Sequence, residues 1–116
     1  MSLRNKALFG LMLAGCAADP APNEQMRLTE QALEQAKAVG ANADDVPEMK
    51  LAEDKYNRAK GSIADNSFKN ARMRAEQAEL DARLAEAKVL TLKSEEQLHV
   101  LDTRITRLRK QLGDAQ

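Results

Sequence analysis

The sequence has no tryptophan, one tyrosine, two phenylalanines and a single cysteine. With aromatic residues at 3% of the chain, there are few large side chains for a thick core around a catalytic pocket, and the composition favours long helices that bury narrow stripes. The lone cysteine, Cys16, allows no intramolecular disulfide and no cysteine cluster for a metal. The formal net charge is zero, which implies no nucleic-acid partner.

Proline and glycine are both absent from residues 67–112, and this stretch is predicted to form one long helix. Two apolar stripes follow it at alternating steps of four and three residues, the heptad rhythm of a coiled coil. We call the first the leucine seam: Leu80, Leu84, Ala87, Thr91, Ser94, Leu98, Leu101, Ile105, Leu108 and Leu112. We call the second the alanine stripe: Phe68, Ala71, Ala75, Ala78, Ala82, Ala85, Val89 and Leu92.

Because the two stripes overlap in the first half of this helix, we expect that half to bury two faces. Past Leu92 no other segment of the chain is expected to reach the helix, yet the seam continues. Each leucine or isoleucine left exposed there forgoes roughly 1.5–3 kcal/mol of burial. The distal seam is therefore predicted to meet a second copy of the chain or a helical protein partner, through Leu98, Leu101, Ile105, Leu108 and Leu112.

Two shorter helices are predicted before the long one. Asn23 is expected to cap the first, and Gly40 to end it in the left-handed conformation. Asp45 and Glu48 have the spacing of a capping box at the start of the second helix. A tight turn at residues 65–66 and a cap at Ser67 lead into the long helix. The expected fold is all-α: a short antiparallel three-helix bundle over residues 24–92, with two short helices against the first half of the long one, extending into a C-terminal coiled-coil-like rod over residues 93–116.

The N-terminus has the organisation of a secretory signal peptide. Arg4 and Lys6 precede a short apolar run, which is too short for the roughly 20 residues that span a bilayer. The four residues that follow resemble a bacterial lipobox, in which the cysteine is acylated and the leader, here residues 1–15, is cleaved just before it: Leu13, Ala14, Gly15 and Cys16. A plain secretory leader with a chance cysteine is the alternative.

The resemblance to a lipobox also bears on whether the protein is sorted to the inner or the outer membrane. In such lipoproteins an aspartate directly after the cysteine favours retention in the inner membrane, and Ala17 stands there instead. This implies an outer-membrane location facing the periplasm, with a covalent lipid on Cys16 and no other cofactor. Residues 16–23 then read as a lipidated tether rich in small residues and proline.

Short motifs follow each other in a fixed order through the helical region from Leu28 to Val89: Pro47-Glu48, then Leu51-Ala52-Glu53-Asp54-Lys55, then Ala71, Ala75, Glu76, Gln77 and Ala78, and then Asp81-Ala82-Arg83-Leu84-Ala85-Glu86-Ala87-Lys88. In these motifs the region resembles a family known as domain of unknown function 4398, found in small proteobacterial lipoproteins and ahead of OmpA-like peptidoglycan-binding domains. The resemblance implies a periplasmic helical module and assigns no activity. The seam after Leu92 lies outside the resembling block.

Candidates for chemistry are few. His99 is expected on a solvated flank, since neighbouring carboxylates alone would make a poor transition-metal site. Tyr56 could stack on a sugar or peptide, although core packing is the simpler interpretation. A basic group near the C-terminus either interacts with the helix dipole or contacts an anionic partner such as a peptidoglycan stem: Arg104, Arg107, Arg109 and Lys110.

These features predict a protein that is not an enzyme. The leading hypothesis is an outer-membrane-anchored structural scaffold or adaptor that presents a helical seam. The alternative is a non-covalent peptidoglycan-binding protein or an accessory subunit of a cell-envelope complex.

Overall fold

The structure, a computed structural model, describes residues 19–115, and three helices make up most of that range. They are α1 (Asn23–Ala38), α2 (Pro47–Ala64) and α3 (Phe68–Asp114), and the described residues include no strand. Helix α3, with 47 residues, is about 70 Å long at 1.5 Å per residue. The predicted all-helical bundle that continues into a rod is confirmed.

The alanine stripe of α3 forms the centre of the bundle. Ala71, Ala75, Ala78, Ala82 and Ala85 have no exposed surface, because small side chains allow α1 and α2 to approach the axis of α3 closely. Both short helices pack mainly on α3 and touch each other little. Leu92, the last position of the stripe, is exposed, so the buried part of α3 ends at Val89.

Helix α1 docks on α3 through a fully buried threonine. The Thr29 hydroxyl donates to the carbonyl oxygen of Ala75 at 2.9 Å, and Gln25 beside it donates its amide to Glu79 at 2.8 Å. Near the other end of α1, the Lys93 ammonium donates to the carbonyl oxygen of Val39 at 2.6 Å. The N-terminal half of α1 thus contacts residues 75 and 79 of α3, and its C-terminal end contacts residue 93, so α1 runs parallel to α3.

Helix α2 runs antiparallel to α3. The Lys55 ammonium lies 2.6 Å from the Asp81 carboxylate. Two turns earlier on α2, the Glu48 carboxylate accepts from the Lys88 ammonium, which lies two turns later on α3. Met49 is fully buried between these two ion pairs. The large side chain at this position fills space that the alanines of α3 leave open.

The two connections end their helices in the same way. At the end of α1, the Ala41 amide donates to the carbonyl oxygen of Ala36, and Gly40 has a φ of +100°. At the end of α2, the Ser67 amide donates to the carbonyl oxygen of Ser62, and Asn66 has a φ of +56°. Both are Schellman motifs, which turn the chain sharply and satisfy the last carbonyl groups of each helix.

The caps predicted for α1 and α2 are wrong, whereas Ser67 is the N-cap residue of α3 as predicted, although its side chain makes no cap hydrogen bond. Asn23 is the first residue of α1, because the chain already enters the helix at Pro22. The side-chain nitrogen of Asn42 donates to the Asp45 carboxylate, and the side-chain oxygen of Asn42 accepts from the backbone N–H groups of Asp44 and Asp45. Val46 is therefore the N-cap of α2. At the start of α3, the Ser67 hydroxyl accepts from the Asn70 side chain and makes no cap hydrogen bond.

Gly61 lies inside α2, and a Cβ built there would meet no atom within 4 Å. We expect Gly61→Ala to raise the free energy of unfolding by about 0.5–1 kcal/mol, because alanine restricts the unfolded chain and favours the helix. Urea denaturation followed by circular dichroism measures the difference. Gly40→Ala is the matched control and should lower stability by about 1–2 kcal/mol, since its φ is left-handed. A Gly61→Ala chain less stable than wild type contradicts the prediction.

Candidate functional site

The leucine seam lies on the side of α3 nearly opposite the alanine stripe. Leu80 and Leu84 lie within the bundle half of α3, yet they are 67% and 48% exposed. The expectation that this half buries two faces is therefore wrong. The leucine side stays exposed because α1 and α2 both pack on the alanine side, and residues 19–115 contain no further helix that could cover it.

The distal part of α3 has no tertiary support. Every residue from 94 to 115 is exposed, and the contact between Lys93 and Val39 is the last hydrogen bond between α3 and the bundle. In proteins most of the stability of a helix comes from tertiary packing of its apolar face, and the described residues supply no such packing here. The predicted partner positions all lie here and are largely exposed: Leu98 65%, Leu101 51%, Ile105 46%, Leu108 58% and Leu112 70%.

The middle of the seam is a shallow depression. Leu84, Ala87, Lys88, Thr91, Leu92 and Glu95 line it. The hydroxyls of Thr91 and Ser94 donate to the carbonyl oxygens four residues earlier, at 2.9 Å each. These two side chains therefore satisfy their hydrogen bonds within the helix and present their small apolar parts to the seam.

Ion pairs hold the charged side chains that border the proximal seam. The hydrogen bond from the Lys88 ammonium lowers the pKa of Glu48, so this carboxylate stays ionised over the neutral range. Hydrogen bonds from Arg83 and Gln25 likewise lower the pKa of Glu79. Both anions are therefore neutralised within one copy of the chain, and the seam between them stays apolar.

The basic group does not form one patch. Arg104, Arg107 and Lys110 follow each other at three-residue steps, whereas Arg109 lies on the other side of the helix. Helix α3 continues to Asp114 and has no basic residue in its last turn. The helix-dipole explanation is weakened accordingly, because the dipole interaction falls off within the last turn.

Tyr56 lies at the edge of the bundle core, whereas His99 lies on the distal rod. Tyr56 packs against the edge of the core and is partly exposed in a groove between α1 and α2, with the Lys60 ammonium 4.9 Å from its ring centroid. Burial and the nearby Glu30 carboxylate raise the pKa of its hydroxyl. His99 is exposed on the distal rod.

Residues 19–115 offer neither a metal site nor a membrane-spanning helix. Within that range, no cluster of three or more histidine, cysteine or acidic side chains could hold a metal ion. None of the helices there combines the length and the hydropathy that crossing a bilayer requires. Leu13, Ala14, Gly15 and Cys16 lie outside the described residues.

Comparison with known proteins adds the family. A family model described as a domain of unknown function, DUF4398, matches residues 24–101, more than half of the chain. The chain belongs to the DUF4398 family. A DUF4398 family protein from Pseudomonas aeruginosa PAO1, known from its crystal structure, is 67% identical, with a TM-score of 0.81 over 84% of this chain and 100% of that chain. No curated protein matches the chain significantly.

The DUF4398 match runs further than the sequence resemblance indicated. It begins at residue 24 and ends at residue 101, so Leu98 and Leu101 fall inside it. The expectation that the seam after Leu92 lies outside the family block is wrong for these two positions. The first part of the distal rod therefore belongs to the family unit, together with the bundle.

Two alanines on α3 allow a direct test of which face is buried. Ala78 is fully buried, and Ala87 is exposed on the leucine seam. We expect Ala78→Leu to lower the free energy of unfolding by about 1–3 kcal/mol through overpacking. The same substitution at Ala87 should change it by less than about 0.5 kcal/mol, as is usual for surface positions. Urea denaturation of both variants at low protein concentration measures the difference, and equal losses would contradict the assignment of the faces.

Proposed function

We propose that this DUF4398 protein is a non-enzymatic lipoprotein, anchored on the periplasmic face of the outer membrane, that acts as a scaffold or adaptor through its leucine seam. The observation that carries the proposal is the distal rod itself. Its five apolar seam side chains are exposed, and no other element within residues 19–115 packs against them: Leu98, Leu101, Ile105, Leu108 and Leu112. A contiguous apolar strip of this kind is typical of an interaction surface.

Burial energetics support the proposal. Covering one leucine contributes roughly 1.5–3 kcal/mol when burial is complete, and about half of each seam side chain still faces solvent. A partner helix that covered the seam would gain part of this burial free energy at each of the five positions. It would also supply the tertiary packing from which helices in proteins draw most of their stability.

The direction of the chain supports an anchored scaffold. Arg72, in the second turn of α3, donates to the carbonyl oxygen of Pro20 at 3.5 Å, so the described chain begins beside the proximal end of α3. The lipobox-like cysteine precedes Pro20 by four positions in the sequence. A lipid on Cys16 would therefore hold the proximal end of α3 at the membrane, and the distal seam would lie tens of ångströms away along a 70 Å helix.

Substitution of the cysteine tests the anchor. We expect Cys16→Ser to abolish incorporation of labelled fatty acid and to leave the leader of residues 1–15 uncleaved, because no acyl chain can be attached to serine at this site. Ala17→Asp is the matched control: it should keep the label and move the protein toward inner-membrane fractions. A wild-type chain that incorporates no label, or a Cys16→Ser chain that incorporates as much as the wild type, would overturn the lipid anchor.

The alternative function, non-covalent binding to peptidoglycan or to an anionic subunit of an envelope complex, has one favouring observation. The four basic side chains of the rod lie on an exposed helix away from its C-terminal turn, so the helix dipole does not account for them.

Pull-down on isolated sacculi tests this alternative. If the rod binds peptidoglycan, changing Arg104, Arg107, Arg109 and Lys110 to glutamine should abolish retention at low salt, since exposed charge contacts are screened as ionic strength rises. A chain with four exposed basic residues of the bundle changed to glutamine is the control and should bind like wild type: Lys50, Arg58, Lys60 and Lys69. No retention of the wild-type chain rules out direct peptidoglycan binding.

A further inference from the structure

Resting on the proposed function of the seam, we propose that its occupant is a second copy of this chain, paired antiparallel along residues 80–112 with the two-fold axis beside Glu96. In this register each seam position faces a seam position of the other copy. Leu80 faces Leu112, Leu84 faces Leu108, Ala87 faces Ile105, Thr91 faces Leu101 and Ser94 faces Leu98.

The size of the seam side chains changes along the rod in the way this pairing needs. Three successive seam positions, Ala87, Thr91 and Ser94, are small, and the first two line the shallow depression. The next three positions, Leu98, Leu101 and Ile105, are large and exposed. Antiparallel pairing sets every small residue of one copy against a large residue of the other, and such alternation fills a helix interface without voids.

A parallel pair in register places the same residues badly. It sets Ala87, Thr91 and Ser94 against their own copies, which gives three small layers in succession and leaves the depression unfilled. It also brings Arg104 beside Arg109 of the second copy, because residues five positions apart on the two flanks of a seam meet across a parallel coiled coil. This like-charge contact would occur twice in a symmetric dimer and disfavours the parallel arrangement.

The bundle leaves room for the second copy. Since α1 and α2 occupy the alanine side of α3, a helix laid on the leucine side meets neither of them. The distal rod of each copy would lie against the bundle half of the other, where Leu80 and Leu84 remain exposed. The pairing therefore covers the proximal seam as well as the distal one.

The contact area is sufficient for a specific dimer. Residues 80–112 form a strip about 50 Å long, and a helix with its side chains is about 10 Å wide. The strip therefore offers on the order of 500 Å² per copy and about 1,000 Å² in total, the size at which specific protein interfaces begin.

Antiparallel pairing fixes the position of the two chain entries. From the two-fold axis beside Glu96, Phe68 of each copy lies about 42 Å away at 1.5 Å per residue, so the two would stand about 80 Å apart. The proximal ends, where the chains enter, would lie at opposite ends of the dimer. With an anchor on each chain, such a dimer lies along one membrane surface or links two facing surfaces.

Disulfide trapping tests both the partner and its direction. Thr91→Cys and Leu101→Cys are made separately in the full-length chain, purified in detergent, and oxidised alone and after mixing. Antiparallel pairing predicts a cross-linked dimer in the mixture that is at least ten times more abundant than in either variant alone. This follows because Thr91 faces Leu101 and lies about 15 Å along the axis from its own copy. Cross-linking of each variant alone would show a parallel dimer and overturn the proposal.

Sedimentation supplies the second measurement. The wild-type chain should sediment as a dimer, and the doubly substituted chain Leu101→Lys, Leu108→Lys at half that mass. Leu51→Lys, which changes an exposed leucine on α2, is the control and should remain dimeric. A wild-type chain that is monomeric at high concentration, with no cross-link in the mixture, overturns the self-association.

The outcome is separable from that of the proposed function. Mass spectrometry of the purified wild-type chain measures whether Cys16 carries a lipid, and the trapping is repeated in the Cys16→Ser background so that only the introduced cysteines can react. A dimer whose Cys16 carries no lipid would support the pairing and overturn the anchor. An anchored monomer would do the reverse.

Discussion

The close approach of two short helices to one row of alanines determines the rest of this structure. Alanine side chains at Ala71, Ala75, Ala78, Ala82 and Ala85 bring α1 and α2 near the axis of α3, and each short helix then contacts α3 more than it contacts the other. Both short helices pack on the alanine face of α3. The leucine face of the same helix is left without a partner over its whole length, including the part that runs through the bundle.

An alanine-lined interface gives limited hydrophobic stabilisation, since the free energy gained is proportional to the apolar area removed from water. The bundle therefore depends on a few larger groups and on polar contacts. Met49 and Leu33 fill space beside the alanines, Thr29 bonds across to the backbone of α3, and two Schellman motifs hold the connections. A helix laid on the leucine face would add the apolar burial that the alanine face cannot supply, and it would stabilise the folded chain by mass action.

Heptad spacing was sufficient to predict three helices, the two stripes on α3 and the end of α1 at Gly40. It could not show which stripe of α3 the short helices would cover. A leucine buries more area than an alanine, so the sequence favoured burial of both stripes in the bundle half. The structure leaves Leu80 and Leu84 exposed because α1 and α2 pack on the side of α3 where alanine side chains allow the closest approach. The capping box at Asp45 failed for a more local reason: Asn42 bonds the loop amides first and moves the start of α2 to Pro47.

The difference in length between the helices is consistent with the proposed interface. α1 and α2 have 16 and 18 residues, and α3 has 47, so a bundle of three helices can shield only the proximal part of α3. A helix of 47 residues that served the bundle alone would expose its distal leucines at a cost in solubility and without gain in stability. Its length is explained if the distal rod is one half of an interface. The family match supports this interpretation, because it continues past the last buried residue, Val89, into the rod as far as residue 101.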